Sequence, residues 1–256
     1  RFFCRPIFSS FALLAMQTEN DAAQMRALGV PANRLQILGN LKYAPATTVD
    51  QEALTLKSKN DLNLPADSEL WVCGSTHPGE EELLLQAFAA LMADHPRLFL
   101  LLAPRDPKRA QELARIAHRL GLATMRRTCP QDQPARILLL DTLGELGACY
   151  PFARVAFIGG SLVACGGHNP LEASRHGIPV LFGPHMEDFE EIARDLLQCG
   201  GAQMVSSAGE ITDTVRRILK DRDVHAAMRT AAIELVIRQA GVIDRHLTAL
   251  FDTGRD

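Results

Sequence analysis

The sequence feature that most constrains the fold is the unbroken apolar run Leu-Phe-Leu-Leu-Leu-Ala at residues 98–103. A strand that is apolar at every position has no face for water, which is typical of a central parallel strand covered by helices on both sides. Shorter apolar runs alternate with helical or turn sequence through the following hundred residues. This alternation predicts an α/β domain with a doubly wound parallel sheet. We predict its other strands at residues 70–74, 137–140, 155–158, 179–182 and 203–205.

The segments on either side of this domain have a different organisation. Residues 11–16 and 34–38 are predicted strands, with a helix between them that Thr18 or Asn20 caps. The pattern weakens from residue 43, and from Val224 apolar residues recur at helical spacing with a break at Gly241. We therefore predict the end of a first domain at 1–42, a linker at 43–68 with a short helix near 51–59, a Rossmann-like domain at 69–222 and a helical segment at 223–256.

Composition excludes several classes of function. The formal net charge is −3 and no basic stretch dominates, which argues against a nucleic-acid partner. No apolar run approaches the roughly 18–20 residues of a membrane-spanning helix. The six cysteines are dispersed without a CxxC pair, as expected for reduced thiols in a cytosolic compartment. The chain begins with Arg1 instead of Met, so we expect a processed protein or a fragment.

Loops that follow parallel strands are where ligands bind such sheets. The loop at residues 74–81 carries Ser75, Thr76 and His77. Its hydroxyls could face a phosphate or a sugar acid, or could simply cap a helix whose acidic first turn, residues 80–82, complements the macrodipole. After the strongest strand, Arg105 could bind phosphate or carboxylate through its planar fork, or could pair with Asp106 in solvent.

Two later loops carry further candidates. Asp141 and Glu145 fit an N-cap and a first-turn acid, while the alternative places the backbone of this turn against a nucleotide base. Residues 159–173 contain two glycine pairs and then Asn169-Pro170, which suits a helix start whose free N–H groups face an anion. Glu172 in its first turn could accept hydrogen bonds from a ribose diol. The pattern is not GxGxxG, so it gives no support to a dinucleotide site.

Three histidines fall on loops at the same predicted edge, His77, His168 and His185. A zinc site from these three is conceivable by ligand type. Nothing in their spacing requires a metal, and we predict neither a metal nor a cofactor.

The fourth loop carries a family resemblance. Gly-Gly-Ser-Leu-Val at 159–163, Gly-Gly-His-Asn-Pro-Leu-Glu at 166–172 and Pro-Val-Leu-Phe-Gly-Pro-His at 179–185 resemble the signature region of Kdo (3-deoxy-D-manno-octulosonic acid) transferases, which are GT-B glycosyltransferases. Motifs at 75–81, 104–105 and 141–146 resemble others of that family in the same order, and 39–42 resembles its interdomain segment. The resemblance implies a GT-B fold in which residues 1–42 end an N-terminal acceptor domain and the following Rossmann-like domain holds CMP-Kdo.

The resemblance also implies site residues. Carried over position by position, contacts to the CMP part of the donor come from Pro104, Arg105, Leu143, Gly144, Glu145, Asn169, Pro170, Leu171 and Glu172. We expect further donor contacts from Ser75, Thr76, His77, Gly160, Ser161, Gly167, His168 and His185. Arg105 and the helix start at Asn169 would stabilise the departing phosphate.

What the family implies for the whole enzyme exceeds this chain. The general base, the lipid-acceptor surface and the membrane anchor belong to the N-terminal part, so we assign no catalytic residue here and expect the fragment to be soluble and inactive alone. The full enzyme would transfer Kdo from CMP-Kdo to a lipid A precursor at the cytoplasmic face of the bacterial inner membrane. The terminal helix would normally pack toward the N-terminal domain, so we expect an exposed apolar stripe on it when that domain is absent.

Two positions depart from the family pattern. Asp106 stands where the family usually has histidine, and Asp188 where it usually has asparagine, so each adds negative charge near an anionic donor. Two alternatives remain open: a GT-B transferase or epimerase that uses a UDP-sugar, and a non-catalytic nucleotide-sugar binding module.

Overall fold

A computed structural model of the chain describes residues 4–8, 10–44, 56–129 and 135–252. The chain divides into two compact units. One is formed by Arg1–Thr48 with Val236–Asp256, and the other by Val49–Leu235. The boundary between Leu235 and Val236 lies inside the helix Arg222–Arg238. The helical segment that we predicted from residue 223 is therefore divided between the two units, with its first thirteen residues in the unit Val49–Leu235. The assignment of residues 1–42 to an acceptor domain stays a prediction.

The larger unit is built on a seven-stranded sheet in which every pairing is parallel. Its strand order is β5-β6-β4-β3-β7-β8-β9. The strands are β3 (Glu69–Thr76), β4 (Leu98–Pro104), β5 (Thr124–Arg126), β6 (Ile137–Leu139), β7 (Ala153–Ile158), β8 (Val180–Phe182) and β9 (Ala202–Met204).

Helices connect these strands, as a parallel sheet requires. The connecting helices are α3 (Glu81–Leu91), α4 (Ala110–Arg119), α5 (Leu146–Cys149), α6 (Leu171–Ser174) and α7 (Glu190–Cys199), and two more helices, α8 (Ala208–Lys220) and α9 (Arg222–Arg238), follow the last strand. None of the described helices combines the length and the apolar composition that a membrane span requires.

The sheet is covered on both faces, which explains its apolar strands. Trp71 and Cys73 of β3 are fully buried in a core cluster with side chains of α3, α4 and α8. Leu70 and Val72 alternate with them and therefore point to the opposite face, yet they too have no exposed surface. A strand in this position can have no polar side, as residues 98–103 predicted.

All six predicted strands of this domain are confirmed, and one more exists. The structure adds β5, whose three residues Thr-Met-Arg give little apolar signal. The helix predicted straight after Asp141 is wrong in its start, because α5 begins only at Leu146 and lasts one turn. Of the short helix predicted at 51–59, residues 51–55 lie outside the described residues, and Lys59–Leu62 forms a 3-10 turn.

The smaller unit contains a parallel pair, β1 (Leu14–Met16) and β2 (Leu35–Ile37), with α2 (Glu19–Ala27) between them. Thr18 caps α2, as predicted, and Asp21 completes a capping box. The unit also holds the short α1 (Cys4–Phe8) and α10 (Val242–Asp252). Arg245 of α10 donates to the Leu38 carbonyl at 3.0 Å. The expected apolar stripe is present on α10, where exposed side chains recur at helical spacing at Ile243, Leu247 and Leu250.

Candidate functional site

The candidate site lies at the edge where the strands of the large sheet end, which we call the carboxyl edge. Strand β3 pairs with β4 on one side and with β7 on the other. The chain therefore leaves β3 in one direction and later returns to its other side, a switch in strand order that opens a crevice between the two loops. The predicted site residues lie mainly in two places, namely the end of β3 with the turn that follows it, residues 75–80, and the loop after β7, residues 159–170.

Glu80 joins these two loops through its buried carboxylate. It has no exposed surface and accepts backbone N–H groups from Gly160 at 2.7 Å, Ser161 at 2.9 Å and Leu162 at 2.8 Å. It also accepts the N–H of His77 at 2.9 Å. We call this carboxylate with its four N–H donors the Glu80 cluster. The prediction that residues 80–82 only complement a helix dipole is therefore wrong for Glu80, since its partners belong mainly to another loop.

The next acid along the chain, Glu81, also has its ion-pair and hydrogen-bond partners within the protein. Its carboxylate pairs with Arg109 at 2.5 Å and accepts the Thr76 hydroxyl at 3.3 Å. Burial raises the pKa of Glu81, and the bond from Arg109 only partly opposes this. Glu82 alone of the three acids is exposed as a surface first-turn residue.

Glycines let the loop backbones touch at this edge. A Cβ on Gly159 would lie 2.3 Å from the Ser75 carbonyl oxygen, and one on Gly183 would lie 2.1 Å from that of Ser161. Ser75 itself has a φ of 55°, a left-handed conformation that non-glycine residues seldom adopt. Such a close fit leaves the loops little freedom, so the edge is a preformed surface.

Three predicted donor contacts need correction. The Ser161 side chain is fully buried, donates to the Ile158 carbonyl at 2.5 Å and accepts the Gly183 N–H at 2.8 Å. The Thr76 hydroxyl is likewise buried and bound to Glu81. Leu171 has no exposed side-chain surface, and its N–H is taken by Asn169. These groups shape the edge but cannot offer their side chains to a ligand.

Other predicted positions can offer at most backbone atoms. Pro104 is buried at the end of β4, Pro170 is buried where the loop after β7 ends, and Gly167 is buried with its N–H bonded to the Gly160 carbonyl at 2.9 Å. The Gly160 N–H is occupied in the Glu80 cluster.

His77 and His168 are brought together, as their shared edge predicted. Their Nε2 atoms are 2.9 Å apart, and the rings stack with centroids 5.1 Å apart. His185 instead faces Glu187, with 3.2 Å between its Nδ1 and the carboxylate. No cluster of three metal-ligating side chains occurs in the part of the chain that the structure describes. The three histidines therefore do not form the zinc site that their ligand types allowed.

Arg105 and Glu172 give the edge its charge. Arg105 is exposed after β4 and forms no ion pair with any described residue, so the predicted alternative of an Arg105–Asp106 pair is wrong. Burial raises the pKa of the Glu172 carboxyl, while the positive charges of Arg175 and Arg105 act to lower it. Arg105 also lowers the pKa of His168, after the larger effects of burial and His77. These couplings place Arg105 within electrostatic reach of both side chains.

The loop after β6 has an exposed tip and an anchored base. Leu143 is 79% exposed, and none of the described groups lies within 4 Å of a Cβ on Gly144. Glu145, in contrast, is buried and accepts Arg127 at 3.0 Å and the Thr142 hydroxyl at 2.6 Å. Burial alone would raise the pKa of Glu145, but these two hydrogen bonds outweigh it and the pKa is lowered. The Glu145 carboxylate is thus an anchor of the loop, whereas sequence reasoning made it a first-turn acid or a contact to CMP, and Arg127 was missed.

The helix predicted to begin at Asn169 is present but short. Asn169 accepts the Leu171 N–H at 3.0 Å, as an N-cap would, but α6 that follows is one turn long. So short a helix has only a small dipole, and its first free N–H is already occupied. An anion bound at this edge would therefore depend mainly on Arg105.

The two departures from the family pattern have separate roles. Asp106 accepts the Lys108 N–H at 3.0 Å and caps the turn Pro107–Arg109. Asp188 lies against the Gly166–Gly167 turn, where its N–H donates to the Gly166 carbonyl at 2.9 Å. Its negative charge acts to raise the pKa of His168 against the net lowering.

Comparison with known proteins agrees with this geometry. Residues 1–45 match the family model described as 3-deoxy-D-manno-octulosonic-acid transferase (kdotransferase). The 3-deoxy-D-manno-octulosonic acid transferase of Haemophilus influenzae is 33% identical over 247 residues, which cover 95% of this chain and 57% of that protein. The enzyme of the same name from Bordetella pertussis is 34% identical, and the match covers 92% of this chain and 55% of that protein. The chain thus spans little more than half the length of these relatives.

Solved structures show the same fold. The C-terminal CMP-Kdo binding domain of WaaA from Acinetobacter baumannii is 27% identical, with a TM-score of 0.64 over 70% of this chain and 93% of that domain. A putative UDP-N-acetylglucosamine 2-epimerase from Listeria monocytogenes, at 16% identity and a TM-score of 0.58, shares the fold alone over 90% of this chain and 57% of that protein.

The parallel sheet with its charged, glycine-rich carboxyl edge has the GT-B fold of glycosyltransferases. Within that class the chain is a homologue of the 3-deoxy-D-manno-octulosonic acid (Kdo) transferases.

Proposed function

We propose that this chain binds CMP-Kdo at the carboxyl edge of its seven-stranded sheet and forms the donor half of a Kdo transferase. The observation that carries the proposal is the position of Arg105 at the switch in strand order, where it is exposed, forms no ion pair with a described carboxylate and lies within electrostatic reach of His168 and Glu172. Ligands of open parallel sheets bind at this place. Its likeness to the CMP-Kdo binding domain of WaaA supports CMP over other nucleotides.

Each group has a role that its environment suits. Arg105 would bind the donor phosphate through its guanidinium, since no carboxylate among the described residues competes for it. Glu172, as an acceptor-only carboxylate, would take hydrogen bonds from the ribose diol. The exposed backbone of Leu143 and Gly144, on the loop after the neighbouring strand β6, would contact the base.

The chemistry follows from these positions. An acceptor hydroxyl attacks the anomeric carbon of Kdo, the bond from that carbon to the phosphate oxygen breaks, and CMP leaves with the electron pair. Arg105 would stabilise the charge that grows on the phosphate as the bond breaks. The hydroxyl proton passes to a general base that we do not assign to this chain. We propose a lipid A precursor as acceptor and the cytoplasmic face of the inner membrane as the place of reaction, as the family resemblance of the sequence motifs implies.

Removing Arg105 is expected to weaken CMP binding selectively. For Arg105→Ala we expect a loss of about 10–100-fold in affinity, because a charge-assisted phosphate contact contributes roughly 1.5–3 kcal/mol. Glu172→Gln should cost about tenfold by weakening its bonds to the ribose. The measurement is calorimetric titration of the whole chain with CMP, and with UMP as a competitor.

Lys108→Ala is the matched control, since it removes an exposed positive charge from the same loop. It should leave CMP affinity within twofold of the unmodified chain. Equal losses in Arg105→Ala and Lys108→Ala would reduce the effect to general electrostatics and contradict the assignment. A preference for UMP would favour a UDP-sugar enzyme instead.

CMP binding is expected to take up protons through His168. Burial, His77 and Arg105 lower the pKa of this imidazole, so it is largely neutral near pH 7 in the free chain. A bound phosphate favours the imidazolium and raises that pKa, so affinity should increase as pH falls below 7, by at most about tenfold per pH unit for one proton. Titrations in two buffers of different ionisation enthalpy measure the uptake. CMP itself can also take up protons on binding, and the His168→Gln variant measures that contribution separately. Identical proton uptake by the variant and by the unmodified chain would refute the linkage to His168.

A further inference from the structure

A cavity of about 730 Å³ lies at the opposite edge of the same sheet, within the larger unit. Its wall includes Glu69 at the start of β3, Arg97 just before β4 and Ala153 at the start of β7. It is therefore at the amino ends of the strands whose carboxyl ends form the candidate donor site. A ligand in this cavity would be separated from CMP by the length of the strands.

The cavity wall is strongly basic. Its only acidic side chain among the described residues is Glu69. Five cationic side chains line it, together with His225: Lys59, Arg97, Arg154, Lys220 and Arg222.

Most of this charge is not neutralised within the protein. Lys220 has Asp94 at 3.9 Å, but Arg97, Arg154 and Arg222 pair with no carboxylate in the described ranges. Arg154 faces His225 instead, with 3.3 Å between its guanidinium and the imidazole Nδ1. Cationic groups gathered round a cavity repel one another, so a structure that keeps them together gains free energy from a bound anion.

Two buried polar atoms of residues that line the cavity have no hydrogen-bond partner within the described ranges. They are the Ser68 hydroxyl, on a residue that is 97% buried, and the Arg154 Nε. Such atoms are few in native proteins, and both lie beneath the accessible surface of the wall, so they do not face a ligand directly. The neighbouring Lys59 ammonium is held at this wall by its bond to the Ser68 carbonyl.

The titration behaviour of His225 agrees with a positive field. Burial lowers the pKa of this imidazole, and Arg154 and Arg229 lower it further, although a hydrogen bond with the Arg154 carbonyl opposes them. Burial also lowers the pKa of Lys59, against the opposing charges of Asp67 and Glu69.

We propose that this cavity is a second ligand site, which binds a compact phosphate-bearing anion independently of the donor site. Planar guanidinium groups bind phosphate oxygens in pairs, and the exposed Arg97 and Arg222 present two such groups at this wall. The same chemistry suits a soluble diphosphate or a phosphomonoester lipid headgroup, and the test separates these two sources.

The test is calorimetric titration of the whole chain with pyrophosphate in the presence of saturating CMP. We expect pyrophosphate to bind, and the Arg97→Ala/Arg222→Ala variant to weaken it by tenfold or more. Both arginines are exposed, so the variant should fold, which circular dichroism verifies. Arg115→Ala/Arg119→Ala is the matched control, since it removes two exposed charges from α4, outside the cavity.

Arg105→Ala separates this site from the proposed donor site, because it should weaken CMP and leave pyrophosphate affinity unchanged. Vesicles of phosphatidylcholine with phosphatidic acid form a second arm, read by co-sedimentation. Vesicle binding that depends on Arg97 and Arg222 assigns the phosphate to a lipid headgroup, and pyrophosphate binding alone assigns it to a soluble ligand. The proposal is overturned if neither probe binds, if the cavity variant binds both unchanged, or if Arg105→Ala abolishes pyrophosphate binding.

Discussion

Glu80→Ala is expected to lower the free energy of unfolding by about 3–5 kcal/mol and to abolish CMP binding. The change removes the only acceptor of the Glu80 cluster and leaves the N–H groups of Gly160, Ser161 and Leu162 buried without that partner. Each orphaned donor costs roughly 1–3 kcal/mol, partly relieved if water enters. The loop after β7 would then lose its fixed position beside the crevice. Urea denaturation measures the first effect and calorimetric titration the second.

Glu82→Ala is the matched control for this experiment. Glu82 is two residues along the same chain, carries the same charge and is exposed in the first turn of α3. Its removal should change stability by less than about 0.5 kcal/mol. If both variants lose the same stability, the effect belongs to the first-turn charge and the role of the Glu80 cluster is wrong.

Gly159→Ala is expected to destabilise the larger unit by about 3 kcal/mol or more. The added Cβ would lie 2.3 Å from the Ser75 carbonyl oxygen and 2.5 Å from the Thr76 Cα, and neither backbone atom can rotate away. Overpacking commonly costs roughly 1–3 kcal/mol, and a collision with two backbone atoms belongs at the upper end. Gly183→Ala should act similarly through its approach to Ser161. Thermal and urea unfolding provide the measurement.

Gly147→Ala is the control that tests whether replacing any glycine by alanine lowers the stability, whatever its surroundings. Gly147 lies within α5 and a Cβ there meets no group within 4 Å. Alanine should be neutral or stabilise by roughly 0.5–1 kcal/mol, since it has the higher helix propensity. A comparable loss in Gly147→Ala and Gly159→Ala would contradict the steric explanation.

The sheet could be predicted because each buried strand leaves its own local pattern. Residues 98–103 are apolar at every position, and the structure buries both faces of that strand. Strand β5 escaped prediction because Thr124 and Arg126 are only partly buried and resemble a loop. The helix expected at Asp141 failed because that carboxylate accepts the Thr128 N–H and hydroxyl instead, at 2.9 and 2.6 Å. A cap motif is local, whereas its competitor here comes from thirteen residues earlier.

The gathering of the predicted loops at one edge could be foreseen, but the hydrogen-bond partners within them could not. The approach of His77 to His168 followed from loop positions after parallel strands, whereas the assignment of Arg105 and Glu172 to a donor site stays a prediction. The anchoring of Glu145 by Arg127 did not, because nothing near either residue in the chain indicates the other. The same holds for Glu80, whose pattern of acids after a turn is also that of an ordinary helix start. Which acid faces a ligand and which supports the loops depends on distant contacts.

The separation in sequence between Glu80 and its partners has a consequence for how the protein folds. The carboxylate meets residues 80 to 82 positions further along the chain, and strands β4, β5, β6 and β7 all lie in between. Closing so long a stretch of chain costs entropy, which slows the formation of such contacts. The pairing of β3 with β7 spans a similar distance along the chain, since Leu70 is in register with Ala153. The centre of the sheet and the two loops of the site therefore depend on the same long-range closure, and a change that slows one should slow the other.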